Sequence, residues 1–530
     1  MLNSPQSYRG MVTSPHHLAS QTGLSILREG GNAIEAAVAM AATVAVVYPH
    51  MNGIGGDAFW LIHQPGATPI AIEACGRSGT KAAPEFFRER GHERMPQDGP
   101  LSANTVAGTV GGWQLALSTS DKWGGKFSLE RLLEESVYYA EKGFALTAGH
   151  EASLIKRKPI VSEQPGFADV YLNKDGGVPK AGTRQVQPAL AETLKRLGRV
   201  GLSDYYTGKI AKSICADLAK LDSPVVLGDY NAYRAREVKP LSSQLSCGTV
   251  YNLPPPTQGL TTLMILSMFD RMGVSEADGF EYLHAMVEIT KQAHIIRDRE
   301  IAAPERMAEN AELYLSDKDL VARLMNVDKA KALPWPLDRQ EGDTIWLGVM
   351  DAQGRSVSLI QSTYKPFGSG VVLPGTGILQ QNRGSSFSLN PEMPRAIAPN
   401  RLPFHTLNPA MAILKDGRVM TYGCMGGDGQ PQTLAALFSR YAMFGQGLQS
   451  SITAPRWFIG RCEKADFVDV QVEGRFADNV ITQMRQAGHN IKVLDNFSEE
   501  MGHAGAIVRH TDGRFEGATD PRSDGAVVGF

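Results

Sequence analysis

The chain has 530 residues, 53 of them lysine or arginine and 55 aspartate or glutamate, so its formal net charge of −2 gives no electrostatic footprint for nucleic acid or an anionic membrane. A hydrophobic share of 42% and a charged share of 20% are ordinary for a globular enzyme, and the length allows two or three domains or one large assembly with an ample core. A small-molecule substrate is therefore expected.

The first ten residues hold neither a basic cluster nor an apolar run, so no secretory leader is read there and a cytoplasmic location is expected. Residues 17–29 repeat Leu18, Thr22, Leu24 and Leu27 at helical spacing and stop at Gly30-Gly31; Asn32 then caps an alanine-rich helix over 33–47. The apolar run 36–48 is too short to span a bilayer and reads as a helix packed on all sides. Next come Gly53-Ile54-Gly55-Gly56-Asp57 and a strand over 58–62. A dinucleotide fingerprint needs its glycines after a strand and before a helix, and the order here is reversed, so a tight turn with close backbone packing is expected instead.

Residues 129–220 and 260–324 read as mainly helical with charged faces, and Thr257, Gln258 and Gly259 as a loop leading into a helix. Pro334, Trp335, Pro336, Asp338, Arg339, Glu341, Gly342 and Asp343 then form an irregular, solvated linker. Behind it come a buried strand over 345–350, a turn at 351–354 and a second strand over 356–362. The remainder is short strands and glycine turns, apart from helices over 432–444 and 476–487. No repeat is present, and the change of character at Thr344 is the best boundary. Cys75, Cys215, Cys247, Cys424 and Cys462 lack the paired spacing of a zinc site or a disulfide framework and are expected reduced and mostly buried; no metal motif is found.

Thr344, at the head of its strand and behind the linker, is the candidate nucleophile. Taken alone it is most simply a buried strand threonine. If the Asp343–Thr344 bond is cut, however, the threonine gains an α-amine, whose unperturbed pKa of about 7.7–8.0 suits it to take the hydroxyl proton. Nucleophile and base then belong to one residue.

The blocks Met11-Val12-Thr13-Ser14-Pro15-His16-His17, Gly30-Gly31-Asn32-Ala33, Gly53-Ile54-Gly55-Gly56-Asp57 and Val106-Ala107-Gly108-Thr109-Val110-Gly111-Gly112-Trp113 resemble successive motifs of the γ-glutamyltransferase family. Phe367-Gly368-Ser369-Gly370, Gly377-Ile378-Leu379, Gly426-Gly427 and Ser523-Asp524-Gly525 continue the family's order over nearly the full length. The resemblance implies an α+β fold of the N-terminal-nucleophile hydrolase type, an αββα sandwich with two stacked sheets between helical layers. It implies a precursor that cuts itself at Asp343–Thr344 into a large subunit, residues 1–343, and a small subunit, residues 344–530, paired as a dimer of αβ heterodimers. It also implies Thr344 as nucleophile, Ser362 as the hydroxyl beside it, and the backbone amides of Gly426 and Gly427 as the oxyanion hole. No metal or organic cofactor is implied, and no nucleic-acid or membrane partner.

The substrate-holding positions depart from the family's pattern. Where glutamyl-transferring members carry an arginine for the substrate α-carboxylate, the register places Cys75, with Arg77 two residues on. The family's amine-binding acids fall at Arg383 and Ser386, an asparagine becomes Tyr364, and a serine pair becomes His405 and Thr406. These exchanges remove the groups that would pair an ammonium. Arg77, Tyr364, Asn382, Arg383, His405 and Thr406 form the candidate substrate-binding set, and Arg77, Tyr364, Arg383 and His405 are equally readable as structural. Within the family the sequence resembles the bacterial branch that hydrolyses oxamate to oxalate and ammonia in purine nitrogen catabolism, and that small acidic amide is the expected substrate. The alternatives are a γ-glutamyl hydrolase or transpeptidase, an acylase for bulkier side chains, and an inactive binding scaffold.

Overall fold

The computed structural model describes residues 3–335, 343–459 and 470–530. Two seven-stranded antiparallel sheets stack face to face between helical layers, the expected αββα sandwich. One sheet runs, edge to edge, through Ala526–Gly529, Gly10–Ser14, Asp343–Asp351, Ser356–Tyr364, Asp57–His63, Ile70–Ala74 and Arg236–Val238. Strands from before and after Thr344 thus interleave in one hydrogen-bonded sheet, so the two parts cannot separate without breaking it.

The strand Asp343–Asp351 shows how sequence sets the layering. Its side chains alternate between faces. Ile345, Leu347 and Val349 join the core beneath the helices His17–Arg28 and Ala33–Val47, while Trp346 and Met350 enter the space between the sheets. The Trp346 indole lies against Gly348, Gly423 and Gly505, where an added Cβ would fall within 2.7, 2.0 and 2.6 Å of its ring. Glycines on both sheets make room for the ring, and it fixes the distance between the Thr344 strand and the facing strand Val419–Cys424.

The helix Ala33–Val47 is buried along its whole length and carries the expected Asn32 cap, completed as a capping box by Glu35. Gly55 and Gly56 make the expected close approach, since a Cβ on either would fall 2.1 Å from a backbone oxygen, of Leu379 and Ser362 respectively. The helix expected over 432–444 instead spans Gln430–Phe438 and widens into a π-turn at Ser439–Met443. That expected over 476–487 spans Asp478–Gln486. Cys75, Cys215, Cys247 and Cys424 are free thiols; Cys462 lies outside the described residues. Among the described residues no helix is long and apolar enough to cross a membrane.

The linker expectation needs correction at its start. Trp335 is not solvated but buried in the core beside His294; residues 336–342 lie outside the described residues. Just upstream, Leu333 is gripped by a buried ion pair. Its N–H donates to Glu288 Oε2 at 3.0 Å, its carbonyl accepts from Lys291 Nζ at 2.6 Å, and Lys291 reaches Glu288 Oε1 at 2.7 Å. Lys291→Met strands the Glu288 charge in the core. An unfolding free energy lower by about 3–5 kcal/mol is expected in chemical denaturation, far beyond the ~1 kcal/mol of a surface pair.

Candidate active site

Thr344 lies where the pairing of its strand with Ser356–Tyr364 slips: Asp343 faces Tyr364 and Ile345 faces Gln361, leaving a bulge at the threonine. A bulge re-aims a side chain, and here the Thr344 hydroxyl points at Ser362, Oγ1 donating to Oγ at 3.3 Å in a buried setting. Ser362 Oγ also accepts the Tyr364 N–H at 2.7 Å. One strand further on, Ser362 pairs in register with Asp57, so Thr344, Ser362 and Asp57 form a row across three strands.

Gly426 and Gly427 follow the strand Val419–Cys424 of the other sheet. Their φ values of +132° and +52° belong to the region that only glycine enters without strain. Among the described residues neither amide donates to a protein acceptor, which suits them to a developing oxyanion. Gln258 braces this turn: its side-chain amide donates to the carbonyls of Gly427 and Thr406, both at 2.8 Å, and its backbone N–H to His405 O at 2.9 Å. In the sequence Gln258 reads only as part of a loop before a helix, and nothing near it signals this role.

Arg383, Tyr364, His405 and Thr406 come together as one buried group. The Arg383 guanidinium lies 3.7 Å from the Tyr364 ring centroid and donates to Thr406 Oγ1 at 3.3 Å and Phe404 O at 3.4 Å. Among the described residues no carboxylate lies within 4 Å of it, and burial lowers its pKa. Behind Tyr364, Arg297 is by contrast paired, its Nε 2.7 Å from Asp298 Oδ1 and its NH1 3.7 Å from Asp428 Oδ1. Burial raises the Tyr364 hydroxyl to about 12, so it is a neutral donor at working pH. His405 is held well below the ordinary histidine range by burial and by Arg383, and is therefore neutral.

Two residues of the expected set do not join this group. Arg77 is partly exposed, donates to Asn400 O at 3.0 Å and lies 3.8 Å from Glu305, on a surface cleft with Glu73 and Arg236. Asn382 is buried, but its side chain serves the backbone: Nδ2 donates to Gln97 O at 2.8 Å and Oδ1 accepts Lys365 N–H at 3.1 Å. It holds the turn after Tyr364, a residue with a left-handed φ of 84°. The Asp57 carboxyl, absent from the expected set, enters the group 3.6 Å from His405.

The family model for gamma-glutamyltranspeptidase matches residues 19–530. The chain belongs to that family. It is 50% identical to the oxamate amidohydrolase proenzyme of Klebsiella pneumoniae subsp. pneumoniae, over 100% of both chains. It is 38% identical to the glutathione hydrolase-like YwrD proenzyme of Bacillus subtilis, over 98% of each. The crystal structure of cephalosporin acylase from Bacillus halodurans superimposes with a TM-score of 0.90 at 30% identity, covering 100% of this chain and 97% of that one. The protein is thus an amidohydrolase of the gamma-glutamyltranspeptidase family, and its proenzyme relatives imply a precursor cut into a large and a small subunit.

Proposed function

We propose that the protein hydrolyses a small acidic amide lacking an amino group, most simply oxamate to oxalate and ammonia, with Thr344 as its nucleophile. The observation that carries this reading is Arg383, a buried guanidinium with no carboxylate beside it among the described residues. A buried cation with no carboxylate in contact, balanced only in part by Asp57 further off, is costly unless an anion arrives, and a substrate carboxylate supplies one through charge-assisted hydrogen bonds. An α-ammonium would meet the same arginine and be repelled. The 50% identical oxamate amidohydrolase proenzyme supports the choice of amide.

The mechanism begins with scission of Asp343–Thr344, which frees the Thr344 amine and leaves residues 1–343 and 344–530 as interleaved subunits. With the substrate carboxylate on Arg383, steadied by Tyr364 and Thr406, the Thr344 oxygen attacks the neighbouring amide carbon. Its proton passes to the α-amine. The carbonyl oxygen becomes an oxyanion against the Gly426 and Gly427 amides. Collapse expels the nitrogen, which takes the proton from the ammonium and leaves as ammonia. Water, deprotonated by the same amine, adds to the acyl ester and releases the dicarboxylate.

Ammonia release measured across oxamate, glutamine and γ-glutamyl amides tests the reading. Oxamate is expected to lead in kcat/KM by at least about tenfold, one charge-assisted contact's worth. Comparable turnover of a γ-glutamyl amide would restore the family's commoner specificity.

A further inference from the structure

Asp57, at the far end of the Thr344–Ser362–Asp57 row, has no part in the mechanism above. It is buried, with 1% of its surface exposed. Oδ1 accepts the N–H groups of Gly108 at 2.9 Å and Gly76 at 3.2 Å, while Oδ2 has no hydrogen-bond partner. Oδ2 faces His405 Nε2 across 3.6 Å, and neither His405 ring nitrogen has a partner. The other charged or titratable groups around Asp57 are Arg383, Cys75 and the tyrosines Tyr205, Tyr206 and Tyr233, with the Gln381 amide alongside. Burial raises the cysteine and the three tyrosines well above neutrality, so near pH 7 the charged groups around the titrating Asp57 are Arg383 and, in the cut chain, the Thr344 α-amine two strands away.

We propose that Asp57 is a positioning residue that shares Arg383 with the substrate: when the guanidinium captures an anionic amide, Asp57 takes up one proton from solvent, keeps it on its free oxygen and turns that O–H toward His405 Nε2 as a hydrogen-bond donor. This rests on the acidic-amide reading above. In the free enzyme an ionised Asp57 partly balances Arg383. A second carboxylate in the same dry volume puts two anions around one cation, and such pairs do not both stay charged. Burial, opposed by Arg383, Gln381 and the two backbone amides, already raises Asp57 to about 7, so little further push is needed. Neutral His405, with an unpaired ring nitrogen, is the acceptor that makes the protonated form at home.

The sign follows. Below about pH 7 Asp57 is already protonated and anion binding takes up little; above it, binding requires a proton from solvent, so affinity falls with rising pH, by about tenfold per unit at the one-proton limit. Calorimetric titration of oxalate into the cleaved enzyme at pH 8, in two buffers of different ionisation enthalpy, reads the uptake. Close to one proton per oxalate is expected in the wild type and none in Asp57→Asn, and KM for oxamate should climb above pH 7 in the wild type only. Oxalate binding without uptake in the wild type, or uptake that persists in Asp57→Asn and so belongs to the Thr344 amine, overturns the inference and leaves the Arg383 anchor standing. No oxalate binding at all overturns the anchor and the inference together. Should Asp57→Asn not fold, the wild type still decides between Asp57 and the amine, because an amine that takes up the proton on binding titrates at a higher pH in kcat than in kcat/KM, whereas uptake by Asp57 leaves the amine's own titration the same in both.

Discussion

Thr344→Ala is expected to yield one uncut chain with no measurable turnover, a fall in kcat of about 10⁴-fold or more for loss of a nucleophile. In the proposed scheme the same hydroxyl serves two reactions. Before scission it attacks the Asp343 carbonyl, with Ser362 Oγ 3.3 Å away as its hydrogen-bond acceptor. After scission it attacks substrate, and the base it uses is an amine that exists only because the chain was cut. Denaturing electrophoresis and N-terminal sequencing of the wild type should show a fragment beginning Thr-Ile-Trp-Leu-Gly. Thr344→Ser, which keeps a hydroxyl and can generate an amine, should still cut and turn over. A wild-type preparation that stays in one piece and is fully active would sink the scheme, because an acylated nitrogen cannot accept the proton. The α-amine must also be unprotonated to act, so kcat should rise as pH approaches the unperturbed amine range of about 7.7–8.0.

The features legible in the sequence were those that depend on chain neighbours. The cap at Asn32, the all-apolar helix behind it and the strand pair around Asp351 each follow from residues within one turn or one ladder, and all three are present. The glycines at 53–56 were readable because the order of elements excluded a phosphate loop, and their close packing follows from having no side chain. The candidate nucleophile and the candidate oxyanion turn rest on family resemblance alone, since a buried threonine and a Gly-Gly pair are commonplace by themselves. What stayed hidden depends on long-range register. Asp57 and Ser362 are about 300 positions apart and meet only because two antiparallel strands pair at that residue. Gln258 reaches Gly427 because a loop between layers passes it. Arg77 sits apart from the buried group for the converse reason: two residues past the expected position, the chain has already turned toward Asn400 and the surface.

Arg383→Met should separate substrate binding from folding more sharply than any other change in the pocket. Methionine keeps an unbranched chain against the Tyr364 ring but removes the charge and every donor. Losing a charge-assisted hydrogen bond to the substrate carboxylate costs about 1.5–3 kcal/mol or more, and kcat/KM for oxamate should fall by about tenfold to more than a hundredfold, each ~1.4 kcal/mol being a factor of ten. Stability should move the other way. Arg383 is 1% exposed, makes only two long hydrogen bonds and has no carboxylate partner within 4 Å among the described residues, so the folded state carries a desolvation cost that methionine relieves. A melting temperature equal to or above that of the wild type is therefore expected, the pattern of a site residue held at the expense of stability. Self-cleavage should proceed at the wild-type rate, because it uses Thr344 and its own backbone but no substrate anion. A variant that melts early and cuts poorly would make Arg383 a packing residue. One that cuts and turns over like the wild type would leave the carboxylate to Tyr364, His405 and Thr406.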